Sequence, residues 1–294
     1  MVKFLIHQKL YPVKLAFHLT GVENNKTTKM QNIIAKKSLG QNFLKSKLAL
    51  LAMIKAGEIT NKDTVLEIGP GQGALTEKLL ETGAKVIAVE KDDRLIEFLN
   101  EKFANEKKKG QFKLIHDDIL ELDLDTIGLK NGNFKLIANI PYYITGLIFR
   151  KFLEGNIQPS KLVIMVQKEI ADRIIARDEK ESLLSLSVKA YGMAKKIMKV
   201  EKENFSPAPK VDSAILLVDN ISKVFFEEID EKSFFEVIKT GFAHKRKMLI
   251  ANLKEKFGKN DLQKIFQDLK ISEKTRSEDL KLENWKELIK KFNI

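Results

Sequence analysis

The sequence predicts an α/β fold, a mostly parallel sheet wrapped by crossover helices, joined to a small all-α domain at its C-terminal end. Three observations predict it. From about Thr64 short β-rich runs alternate with helical periodicity, the sequence form of strands linked in parallel through helices. The runs are nearly continuous in apolar residues, as strands covered on both faces must be. After Asn220 strand-like runs cease and a Lys-dense helical periodicity takes over.

The first 29 residues stand apart. Met1 to Gly21 carries Lys3, Lys9 and Lys14, no acid comes before Glu23, and there is no run of the roughly 18 apolar residues a membrane helix needs. A basic, acid-poor segment fits a transit peptide and an organellar destination, but it lacks the Arg such peptides carry. A start codon assigned too far upstream, with Met30 as the true beginning and a cytoplasmic protein, is the preferred reading. The expected organisation is an extension over 1–29, an α/β domain over 30–220 and a helical domain over 221–294.

"TVLEIG", "KVIAVE", "FKLIH", "FKLIA" and "KLVIMV" are the five expected parallel strands, bounded by Gly, Asn, Asp or Lys. Helical spacing falls between them at Ala74 to Glu81, Asp92 to Phe103, Thr145 to Glu154 and Lys168 to Ala176. Two more strands, near Lys196 to Glu201 and Ser213 to Val218, flank "FSPAP" with no long helix between, so an antiparallel pair at one sheet edge is expected. Ser233 to Ile294 is helical in periodicity.

Composition narrows the function. The 294 residues are 44% hydrophobic and 31% charged, enough for a sizeable core and too apolar for a disordered chain. Cys is absent, and His7, His18, His116 and His244 are too scattered for a ligand cluster, so neither a thiol nucleophile nor a metal centre is expected. The formal charge of +12 favours a polyanionic partner, although many Lys-rich proteins bind none.

The strongest local signal is "LEIGPGQGAL", where a strand runs into Gly69, Gly71 and Gly73 and then into a helix. Glycines there let the backbone turn tightly and turn N–H groups toward a ligand, although such a loop also serves simple turns. Glu90 ends the next strand about 20 residues on, where nucleotide-binding folds place an acid against ribose hydroxyls. Gly69, Gly71 and Ala74 also satisfy a dinucleotide fingerprint, which keeps an NAD-dependent oxidoreductase open. Glu67 beside the loop disfavours a pyrophosphate and favours a cationic ligand. Asp118, after the third strand, can accept from an adenine amine. S-adenosylmethionine, a cationic adenosine, suits three such acids.

At the end of the fourth strand comes "ANIPYYIT". Asn139, Pro141 and Tyr142 join an amide, a fixed backbone and an aromatic face, which suits methylation of an exocyclic amine on a planar base. The Asn139 oxygen and a neighbouring main-chain carbonyl can accept from the amine as positive charge develops, and Tyr142 can stack the base. A plain strand-to-helix turn is the structural alternative.

These segments resemble the KsgA-type ribosomal RNA adenine dimethyltransferases, relatives of the erythromycin-resistance (Erm) methylases. The likeness runs in order through "SLGQNFL", the glycine loop, "VIAVEKD", "HDDIL", "NIPYYIT", "MVQKEIADRI", "NFSPAPKVDSA" and "GFAHKRKMLIANL". It implies a class I S-adenosylmethionine-dependent methyltransferase fold, Rossmann-like with a seven-stranded mostly parallel sheet. By the resemblance, donor contacts fall on Asn42, Leu44, Gly69, Glu90, Asp118 (with Asp117 as the alternative) and Asn139, with Gly71 beside them in the loop. Phe205 matches an aromatic facing Tyr142 across the target base. Tyr143 stands where relatives often have Asn, which bears on fine substrate positioning.

"GFAHKRKMLIANL" looks like the ribosome-maintenance branch, and Lys245, Arg246 and Lys247, with Lys239, Lys254 and Lys256 on the same helical stretch, are expected to meet RNA phosphates. The resemblance implies dimethylation of N6 on two neighbouring adenosines near the 3′ end of small-subunit (16S) rRNA, by a monomer without metal or membrane. A resistance methylase acting on large-subunit rRNA and a relative that only binds nucleic acid are the alternatives.

Overall fold

The computed structural model describes residues 35–36, 39–258 and 260–292. The expected extension over 1–29, the start at Met30, and Ser38 of "SLGQNFL" lie outside the described residues.

A seven-stranded sheet carries the architecture. The middle one of its five parallel strands, β2 (Thr64–Ile68), is flanked by β3 (Lys85–Glu90) and then β4 (Phe112–His116) on one side, and by β5 (Lys135–Asn139) and β6 (Lys161–Gln167) on the other. These five run parallel, and β9 (Ser213–Asp219) and β7 (Met193–Val200) close the β6 edge as an antiparallel pair. Leu66, Ile87, Leu136 and Ile164 are buried, as the unbroken apolar runs require. The antiparallel edge arises as expected, because "FSPAP" returns the chain without a crossover helix.

Helices cover both faces. α1 (Lys47–Ala56) is capped by Ser46, whose hydroxyl accepts from Ala49 N–H at 3.3 Å. α2 (Ala74–Glu81) matches its expected bounds, and α3 (Asp93–Lys102) begins one residue later than expected because Asp92 is its cap. α4 (Ala104–Lys108) follows directly. The stretch expected as one helix over Thr145 to Glu154 is α5 (Thr145–Phe149) continued by a widened turn over Arg150–Glu154. α6 (Lys168–Ile174) and α7 (Leu183–Lys189) lead to β7.

A small second ladder pairs β1 (Phe43–Leu44) with β8 (Phe205–Ser206), Phe43 opposite Ser206 and Leu44 opposite Phe205. After β9 the chain is helical: α8 (Glu231–Gly241), α9 (Leu249–Phe257), α10 (Asn260–Asp268) and α11 (Leu282–Phe292). Their shared core centres on Trp285, buried and stacked on Phe242 with ring centroids 5.8 Å apart. The same core takes in Leu186 and Ala190 at α7. No helix among the described residues is long and apolar enough to cross a membrane.

The strand order creates the site. From β2 the chain builds outward through β3 and β4, then crosses back to β5 on the opposite side. The segments leaving the C-terminal ends of β2 and β5 therefore diverge and leave a crevice, the place where open parallel sheets bind ligands.

Candidate active site

A cavity of about 360 Å³ occupies that crevice, within the range of roughly 300–1,000 Å³ typical of small-molecule sites. Asn42, Leu44, Gly69, Gly71, Glu90, Asp118, Asn139, Pro141 and Tyr142 all line it. Residues separated by up to 100 positions are thus brought together because the parallel strands end at one sheet edge.

The glycine loop forms one wall. Gly69, Gly71 and Gly73 have φ of +64°, +56° and +77°, left-handed conformations that glycine adopts without strain. A side chain at Gly69 would project into open space, whereas one at Gly71 would lie 2.9 Å from the Phe43 ring. The backbone therefore lies bare to the cavity at Gly69 and is packed against Phe43 at Gly71.

Glu90 stands at the end of β3, buried, its Oε2 accepting from Gly71 N–H at 3.1 Å and its Oε1 from Asp92 N–H at 2.9 Å. Burial pushes its carboxyl above the ordinary carboxylate value, against those two hydrogen bonds. Asp92, 2% exposed, is held near 2, first by the Arg94 guanidinium and then, against burial, by Gln41. Asp118 sits below its ordinary value: partial burial would raise it, but the Lys91 ammonium at 2.6 Å and Leu120 N–H at 3.0 Å outweigh that. Asp117 also faces the cavity and accepts from Asp118 N–H at 2.7 Å.

Glu67 differs from expectation. It is not an exposed anion beside the loop but a carboxyl 1% exposed, accepting from Thr76 Oγ1 at 2.7 Å, and burial pushes it up to about 8. It is therefore neutral at pH 7, so it does not supply the negative charge assigned to it. The reason is its place on β2, the middle parallel strand, where α2 covers it.

The N-I-P-Y corner forms the opposite wall. Asn139 Nδ2 donates to the Asn42 carbonyl at 3.1 Å, which leaves Oδ1 with no partner among the described residues. Pro141 adopts φ −58° and ψ 134° and starts the single helical turn Tyr142–Ile144. Tyr142 is half-buried, shares a 2.5 Å hydrogen bond with Ser213 Oγ, and stays a neutral phenol because burial raises its pKa. Tyr143 points outward, 67% exposed at the rim.

Phe205 departs from its expected role. It is 2% exposed, paired opposite Leu44 in the β1–β8 ladder, and is absent from the cavity wall that its neighbour Ser206 joins. Its ring is packed in the ladder rather than lining the cavity.

The basic triplet is placed differently too. Lys245, Arg246 and Lys247 lie in the turn between α8 and α9 rather than on a continuous helix, because Asn252 Nδ2 donates to the Gly241 and His244 carbonyls and folds the chain there. Lys247 is 2.8 Å from Glu255, and Lys256 pairs with Glu236. Lys245 lines a second, larger groove of about 1120 Å³ that Tyr143 also borders, so the groove runs from the rim of the cavity to the basic turn. Among the described residues no group of three or more His, Asp or Glu could hold a metal ion.

Sequence reasoning missed Gln41, Asp92 and Ser213. Asp-Asp-Arg before α3 carries a capping signal that could have exposed Asp92; Gln41 and Ser213 gain their partners only through long-range folding.

The family model for ribosomal RNA adenine dimethylase matches residues 32–293. The chain belongs to the ribosomal RNA adenine dimethylase family. Among the curated members of that family it resembles, the ribosomal RNA small subunit methyltransferase A of Dehalococcoides mccartyi is 41% identical over 256 residues, 86% of this chain and 87% of its own length. The protein of that name from Fusobacterium nucleatum is 38% identical over 261 residues, 87% and 97% of the two chains. Among solved structures, a dimethyladenosine transferase from Plasmodium falciparum superposes with a TM-score of 0.75 at 26% identity, covering 85% of this chain and 97% of its own. The 23S rRNA methyltransferase ErmE superposes at 0.71 with 22% identity over 86% and 100% of the chains, a likeness of fold. The dimethylase family and this fold are those of S-adenosylmethionine-dependent methyltransferases.

Proposed function

We propose that the protein dimethylates N6 of two adjacent adenosines near the 3′ end of small-subunit rRNA during maturation of that subunit, using S-adenosylmethionine in the cytoplasm. The names of relatives at 38–41% identity support the small-subunit substrate. The likeness to ErmE, at 22% identity, is one of fold and does not favour the resistance-methylase alternative.

One observation carries the chemistry: the Asn139 amide is fixed by its nitrogen, with its oxygen unpaired, in a cavity that also holds Glu90 and bare glycine backbone. Glu90, Asp118, the Gly69–Gly71 backbone, Asn42 and Leu44 would hold the donor. When bound, S-adenosylmethionine supplies an electrophilic methyl group on a sulfonium. Asn139 Oδ1 accepts from the adenine amine and stabilises the positive charge that develops on it, a preorganised acceptor that needs no rearrangement. Tyr142, neutral and tied to Ser213, presents its ring to the base. The target base has to leave its stack, costing a few kcal/mol, and holding the reactants in line supplies up to roughly 7–11 kcal/mol of the barrier. Lys245, Arg246 and Lys247 contact RNA phosphates, and residues 221–294 serve as the RNA-facing domain.

The test offers unmethylated small and large ribosomal subunits separately with labelled donor. Label enters the small subunit; label confined to the large subunit, or none, rejects the proposal.

A further inference from the structure

The residues around β1 cross the cavity as a strap fastened at four places. Gln41 Nε2 donates to Asp92 Oδ2 at 2.7 Å, and the Asn42 carbonyl accepts from Asn139 Nδ2 at 3.1 Å. Phe43 lies against Gly71, and Lys45 N–H donates to the Asn204 carbonyl at 2.8 Å. Two of these fastenings reach the proposed machinery from opposite sides. Asp92 supplies the N–H that holds Glu90 Oε1, and Asn139 carries the unpaired oxygen.

A terminal amide can sit in two orientations related by a half-turn, and only one puts oxygen where an incoming amine can donate. The Asn42 carbonyl accepts and never donates, so it binds the nitrogen and selects the orientation with Oδ1 free. What then matters is where that carbonyl stands. On its C-terminal side the β1–β8 ladder fixes it; on its N-terminal side Asn42 Nδ2 closes a local turn onto the Gly40 carbonyl at 3.1 Å, and Gln41 is the side chain that ties this segment to the far wall. Gln41 Oε1 accepts from Lys36 N–H at 2.7 Å, so both ends of its amide are engaged within the protein, as suits a brace rather than a ligand contact. Asp92 is a firm anchor, since Arg94 holds it with Nε at 2.9 Å and Nη2 at 2.6 Å and it stays ionised.

We infer that Gln41 is a positioning residue for methyl transfer: through Asp92 it fixes the Asn42 carbonyl, which sets the Asn139 amide with its oxygen toward the reacting amine. The inference rests on the proposed function, and its test separates the two. In Gln41→Ala, kcat for RNA methylation falls roughly 10- to 100-fold while the KM for RNA stays within about threefold and the donor Kd rises far less than kcat falls, the pattern of a misplaced reacting group. Loss of donor binding in step with rate, or an unchanged kcat, overturns it.

Gln41→Glu adds a pH readout that also serves where the alanine variant fails to fold. The introduced carboxyl repels Asp92 while ionised but donates to it once protonated, so the ratio of variant to native kcat rises as pH falls from about 8 to about 5.5. A flat ratio overturns the inference. Should the native protein methylate no RNA, the proposed function fails by itself, and Gln41 is judged by hydrogen exchange at the Asn139 side-chain amide. Faster exchange in Gln41→Ala supports the brace; unchanged exchange overturns it.

Discussion

Glu67→Gln isolates a buried charge equilibrium at the heart of the sheet. The carboxyl has an ordinary value of 4.5 and is pushed up to about 8 by burial in the native protein, with Thr76 Oγ1 as its hydrogen-bond donor. Between those values the folded state keeps a proton that the unfolded chain has released. Stability is therefore full below about 4.5 and is lost as pH rises toward 8, at about 1.4 kcal/mol per pH unit. Over the interval 8 − 4.5 = 3.5 units the loss amounts to about 5 kcal/mol, a large share of the roughly 5–15 kcal/mol that holds a domain folded. Glutamine keeps an acceptor for Thr76 and cannot ionise, so it imitates the protonated acid at every pH. Native and variant stabilities should nearly coincide at about pH 5, and the variant should gain by about 3 kcal/mol relative to the native protein by about pH 7. Urea unfolding at fixed temperature across that range, with unchanged m-values, measures the difference. Glu90 adds to the effect, since its charge also raises Glu67, so the difference between the two curves reports the Glu67 proton together with that coupling. Two curves that stay parallel from pH 5 to pH 8 would refute the assignment of Glu67 as a neutral acid.

The site itself gives further expectations. Asn139→Ala should slow the chemical step by about 3 kcal/mol, near a hundredfold, read by single-turnover methylation at saturating donor. Glu90→Ala should weaken donor binding by roughly 1.5–3 kcal/mol as measured by calorimetry, because a charged acceptor is lost from a buried site; an unchanged constant removes Glu90 from it. Replacing Lys245, Arg246 and Lys247 by Gln should lower RNA affinity and flatten its salt dependence while donor affinity holds. Lys247, already paired with Glu255, should contribute least to that slope.

The sheet was legible because its geometry leaves few choices. Strands such as β5 and β6 are covered on both faces, so they appear as unbroken apolar runs, and α2 begins at a glycine whose left-handed backbone marks the turn into it. Short or composite elements were not legible. β1 and β8 are two residues each, too short for any periodicity, and they exist only because they pair with each other. α1 is apolar on nearly every side rather than along one stripe, which blurs its helical period, and α5 gives way to a widened turn that no local pattern announces. The glycines, Glu90 and Asn139 that line the cavity were legible because each stands at or just after the end of a strand, where the pattern of residue types is local. Glu67 was misjudged for a related reason: a single sequence marks where a carboxyl stands along a strand, not how deeply the sheet and α2 bury it. Phe205 looked like a stacking partner, yet the β1–β8 ladder leaves it as packing.

The residues proposed to hold the donor and the amide corner meet because β2 and β5 are neighbours whose outgoing segments diverge, and the strap at β1 ties the two sides together. Nucleoside mass mapping of rRNA puts that arrangement to its most direct trial. Small subunits that lack the modification, incubated with the protein and S-adenosylmethionine, should yield N6,N6-dimethyladenosine at two adjacent positions near the 3′ end. Recovery of unmodified adenosine at both positions, with the protein folded and the donor present, would contradict it.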